Sequence, residues 1–148
     1  MTALANAAVR RYKKFDTIEL ASKQEAVFKS GIACFDTSTG LVAKAFVSVN
    51  LKPIGWFADS KDNSAVTSPT VVVELFREVT AVWLKNDGTV VAGTIGNLCY
   101  FIDDQTVSNT DNTNTRSVAG RVWAIDSTLG VLVQMTVPNG DRLGGLDA

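Results

Sequence analysis

Residues 95–135 read IGNLCYFIDDQTV, then SNTDNTNTRS, then VAGRVWAIDSTLGVLVQM, and this stretch decides the fold. Its first and last parts are rich in Val, Ile, Leu and aromatic residues, which suit a pleated, half-buried surface. The polar middle and the corner Asp126-Ser127-Thr128-Leu129-Gly130 are turn chemistry. Short apolar runs separated by such corners predict a meander of strands. The reading places strands at 98–102, 120–126 and 130–137, with a corner at Asp103-Asp104-Gln105 and a loop over 108–117. Gly120, between loop and strand, reads as a bulge or a positive-φ position.

The same logic extends upstream. Residues 32–36 and 41–49 form a hairpin about Gly40, Pro53 interrupts, and residues 54–58 make another short strand. Residues 59–69 (DSKDNSAVTSP) are a polar loop. The run TVVVELFREVTAVWL, residues 70–84, is the longest apolar-rich segment and reads as a strand covered on both faces. Asn86-Asp87-Gly88 predicts a tight turn that sends the chain back as a strand over 89–92. Residues 16–30 admit two readings: a short helix with Ser22 and Glu25 as a capping box, or a strand beginning at Val27 and Phe28. The expected fold is all-β, mainly an antiparallel small barrel or sandwich, with at most a short helix and an extended N-terminal arm. The expected organisation is an arm over 1–15, a β domain over 16–137 and a flexible Gly-rich tail over 138–148.

The chain has 148 residues, enough for one domain with a real core. Fourteen basic and fifteen acidic residues leave a net charge of −1. A dedicated nucleic-acid binder needs a strong positive field to displace counterions, so no nucleic-acid partner is expected. No apolar run approaches the ~20 residues of a membrane helix, and no secretory signal is visible, so no membrane partner is expected and synthesis in the cytosol is. Low net charge makes self-association easy.

Catalytic chemistry finds little to stand on. The chain has no His, so neither a Ser-His-Asp nor a Cys-His centre is available. Two separated Cys do not make a zinc site. Phosphate-cradling glycine loops and calcium loops do not match. Asp103 and Asp104 are adjacent, and neighbours in an extended chain point apart. They read as a corner whose carboxylates accept local amides. No enzyme activity, cofactor or metal is expected. Cys34 and Cys99 lie in apolar runs and read as buried reduced thiols, although a disulfide stays open. Trp56, Trp83 and Trp123 each sit in a strand-like run, where core packing is the default. Trp123 in particular reads as core or interface. If the three shared an exposed face, they would line a sugar-binding surface.

The segment CYFIDDQTV, followed by NTRSVAGRVWAID and then GVLVQM, resembles the head decoration (capsid cement) proteins of tailed bacteriophages. The matching elements are residues 99–107, 115–120, 121–126 and 130–135. A looser likeness runs through GIACFDTSTG (31–40), residues 54–63 and residues 71–74, so the resemblance spans residues 25–137. It implies a small β-rich virion protein on the head exterior, binding the major capsid protein and locking neighbouring subunits together. It also implies self-association, with a homotrimer at symmetry axes. A closed ring of protomers would cover strand edges. The alternative reading is a carbohydrate-binding module of the virion surface that uses the tryptophans. Arg10, Arg11, Lys13 and Lys14 concentrate positive charge within the arm, and Tyr12 and Phe15 stand beside them. These six residues are the expected partner-binding set.

Overall fold

The computed structural model describes residues 17–76 and 81–135. These residues form twelve strands and one three-residue 3-10 turn at Ala92–Thr94. The all-β expectation holds, antiparallel throughout except at one pair and one isolated bridge. No described helix is long and apolar enough to cross a membrane.

The N-terminal half makes an open five-stranded sheet. Its strands are β1 (Thr17–Ala21), β3 (Ile32–Asp36), β4 (Leu41–Lys44), β5 (Leu51–Phe57) and β7 (Thr70–Leu75), in the order β1-β7-β5-β3-β4. Two-residue strands β2 (Ala26–Val27) and β6 (Lys61–Asp62) pair beside it. The β3–β4 hairpin turns at Gly40, whose φ of 74° suits glycine. Past β1 the chain bends across, so that Ser22 bridges Val42 of β4 and Lys23 donates its amide to the Val42 carbonyl at 2.9 Å.

The C-terminal half closes on itself. It comprises β8 (Ala81–Asn86), β9 (Leu98–Phe101), β10 (Thr106–Ser108), β11 (Val118–Asp126) and β12 (Gly130–Met135). The order β10-β8-β12-β11-β9 returns to β10 through the β9–β10 pair, making a barrel. The β10–β8 pair is parallel. On β12, Val131, Val133 and Met135 point inward and are fully buried, while Gly130, Leu132 and Gln134 face out.

Two apolar cores follow from this arrangement. The larger joins Ile32, Cys34, Leu51 and Phe76 of the open half to Phe101, Val107, Val122, Val133 and Met135 of the barrel. The smaller, built from Ala33, Val42, Ile54, Phe57, Val71 and Val73, lies on the other side of the open sheet. Cys34 and Cys99 are both buried and free.

Several expectations are corrected. The run over 70–84 is not one strand: β7 ends at Leu75 in the open sheet, and β8 begins at Ala81 in the barrel. The Asp87-Gly88 turn exists, with Gly88 at φ 100°, but no strand follows over 89–92. Asn86 accounts for this, because its side chain accepts the amides of Gly88 and Val90 and donates to the Val90 carbonyl. Those groups are then unavailable to a ladder, and the chain enters the 3-10 turn. Pro53 does not interrupt: it lies inside β5, opposite the register shift between Ala33 and Cys34, where a missing N–H is tolerated. Neither Ser22 nor Glu25 caps a helix. Ser22 donates to the Lys23 carbonyl, and the Glu25 carboxylate accepts the Lys44 amide.

Candidate functional site

The outer face of the barrel carries indoles. On β8, Trp83 points away from the core and lies opposite Leu132 of β12. On β11, the register shifts between Val122 and Ala124, leaving Trp123 as the extra residue of a bulge. Trp123 follows inward-facing Val122 and so points outward, 54% exposed, and it is not a core residue. Its Nε1 donates to Gln134 Oε1 at 2.8 Å, which fixes the ring against β12. Trp83 is 39% exposed and Leu129, in the β11–β12 turn, is 54% exposed.

Trp56 belongs to a different place. It lies on β5 of the open sheet, half-buried, with its ring edge-on to Phe76 at 5.4 Å and 76°. Its Nε1 donates to Glu74 Oε2 at 2.8 Å. Trp56 and Trp83 line one cleft of about 420 Å³ where the open sheet meets the barrel. Leu129 completes the apolar wall, and Ser30, Lys85, Asp104 and Gln105 supply the polar one. The three tryptophans therefore do not form a single platform.

The Asp103-Asp104-Gln105 corner positions that polar wall. The Asp104 carbonyl accepts the Ile32 amide at 2.9 Å, and the Gln105 carbonyl accepts the Lys85 amide at 2.7 Å, so the corner is clamped to both halves. Asp103 Oδ1 accepts the Gln105 amide at 2.9 Å, as expected of a corner carboxylate. The Asp104 carboxylate instead rests on Gly31, where an added Cβ would stand 2.7 Å from Oδ2. Partial burial, and then the charge of Asp103, raise its pKa, against the opposing pull of Lys44.

A second hollow, of about 550 Å³, lies where the chain leaves β1 and is lined by Ser22, Lys23, Gln24, Thr39 and Pro69. Its one cation is engaged: Lys23 pairs with buried Asp36 and lies 4.7 Å above the Phe46 ring. Among the described residues, no group of three or more Cys, Asp or Glu gathers in a metal-holding arrangement.

Protein-family models, curated proteins and solved structures give no match to this chain.

Arg10, Arg11, Tyr12, Lys13, Lys14 and Phe15 lie outside the described residues. The cleft was not visible in the sequence as a site. Its members come from five separate segments, and only the Asp-Asp-Gln corner carries a local signal.

Proposed function

We propose that this is a structural virion protein that binds the exterior of a phage head and stabilises the major-capsid lattice, acting as a homotrimer. The observation that supports the reading is the outer barrel face with Trp83, Leu132 and Trp123. Rigid, outward-facing indoles are the usual anchors of protein–protein interfaces. Trp123 is already held by Gln134, so little side-chain freedom is lost when a partner covers it. The closed barrel beneath supplies a stiff base, and the resemblance over residues 99–135 supplies the partner. The basic arm residues add a second, electrostatic contact to acidic patches of the shell. Three arms acting together would raise avidity by about 10²–10⁴-fold.

The test is co-sedimentation of the purified chain with undecorated tailed-phage heads, with light scattering in parallel. Saturable binding is expected, weakened about tenfold or more by Trp123→Ala. Deleting residues 1–15 should weaken binding most at low salt, because exposed charges are screened as salt rises. Failure to bind heads overturns the decoration reading. A mass near 15.8 kDa at micromolar concentration overturns the trimer.

A further inference from the structure

We infer that the cleft between the open sheet and the barrel is a binding site for a neutral saccharide, with Trp56 and Trp83 as stacking surfaces and Asp104, Gln105 and Lys85 as hydroxyl partners. This goes beyond head binding, because the cleft is a concave site for a small ligand that shares only Trp83 with the docking face of Trp83, Leu132 and Trp123.

The chemistry of the lining selects the ligand class. Two indoles from different sheets offer flat apolar surfaces, which suit the C–H face of a pyranose ring. Trp56 is held before any ligand arrives, by Phe76 and by Glu74. The polar wall presents one ammonium, one carboxylate, one amide and one hydroxyl. Sugar hydroxyls both donate and accept, and that wall offers both functions. The volume falls within the usual range for small-ligand sites, about 300–1,000 Å³.

Other ligand classes fit less well. An anion would meet Asp104, with Asp103 beside it, and gain only Lys85. An organic cation would find two indoles but also the Lys85 ammonium. A hydrocarbon would strip water from four polar groups and return no hydrogen bond to any of them. A neutral polyhydroxylated ring leaves none of these groups opposed or unpaired.

The test is isothermal titration of the full chain with glucose, galactose, mannose, N-acetylglucosamine and linear oligomers of each. Tetramethylammonium and inorganic phosphate are titrated as charged competitors. Saturable binding of at least one sugar in the millimolar range is expected, tighter for its oligomers. Trp83→Ala and Gln105→Ala, both at exposed positions, should each weaken it about tenfold or more, the first by removing a stacking surface and the second a hydroxyl partner. Val91→Ser, an exposed apolar change outside the cleft, should leave it unchanged. The inference is overturned if no sugar in the panel gives saturable heat. It is also overturned if both cleft variants bind as the parent does, or if only a charged competitor binds.

Discussion

The buried hydroxyl of Ser117 accepts the main-chain amide of Leu51 at 3.0 Å, joining the loop that leads into β11 of the barrel to the first residue of β5 in the open sheet. The same hydroxyl donates to the Ser48 carbonyl. One small side chain thus satisfies a donor and an acceptor at the seam between the two halves.

Ser117→Ala should therefore destabilise the protein by about 1–3 kcal/mol, since it orphans the Leu51 amide in a dry position. Urea denaturation measures this. A loss below about 0.5 kcal/mol would mean that water replaces the hydroxyl.

Gly120 has no room for a side chain. A Cβ there would sit 1.9 Å from the Gln134 carbonyl oxygen, in the strand paired with it. The cause is close backbone approach beside the register shift between Val118 and Gly120, and not a positive φ. Gly120→Ala should cost more than Gly40→Ala. Gly40 carries a left-handed φ but open space around it, so only the ~1–2 kcal/mol conformational penalty applies there. Thermal melts of the two variants side by side give the order.

Asp36 sets an acid limit on stability. The Lys23 ammonium, and then the Ser38 hydroxyl, hydrogen-bond its carboxylate and hold its pKa at about 2. A carboxyl that is more acidic in the folded chain than in the unfolded one stabilises the fold above the unfolded value of ~3.9. That contribution is lost as pH falls through about 2. Stability should decline between about pH 4 and pH 2, and Asp36→Asn should flatten the decline. Denaturant midpoints across that range test both statements.

Both thiols should be unreactive in the native protein. Burial pushes the Cys99 thiol up to about 12 and the Cys34 thiol higher still. Reaction needs a thiolate within reach of the reagent. A maleimide at neutral pH should label neither cysteine faster than the chain unfolds. Labelling that outpaces unfolding would reveal a local opening of β3 or β9.

Trp123 and Phe101 should separate surface from core. Phe101 is fully buried, and Phe101→Ala should cost about 3–5 kcal/mol. Trp123 is exposed and held by one hydrogen bond, so Trp123→Ala should cost about 1 kcal/mol or less. Equal losses would place Trp123 inside.

These residues also show what a single chain makes legible. β9, β11 and β12 announce themselves because apolar runs end at real punctuation, Asp103-Asp104 and Gly130. Gly120 is readable as a bulge because it stands between a polar loop and an apolar strand. The division of residues 70–84 is not readable, since FREVTA holds no Gly, Pro or Asn to mark a break. The exposure of Trp123 escapes for a related reason. Its neighbours Val122, Ala124 and Ile125 look like a strand covered on both sides, and nothing in that apolar run marks its outer face as uncovered. The cleft escapes because Trp56 and Trp83 belong to different sheets, and their meeting depends on long-range topology.

Closure of the barrel has a consequence for assembly and for evolution. Among the described residues its five strands pair in a ring, so the ladder left open to another chain is confined to short stretches, such as the edge of β8 over 81–84 that β10 does not reach. Backbone pairing is therefore a minor glue there. A partner on the outer face of the ring is held mainly by protruding side chains, and each of those can be exchanged while the ring beneath stays intact. Affinity for a changing neighbour can then drift through positions such as 83, 123 and 132 without the scaffold being rebuilt.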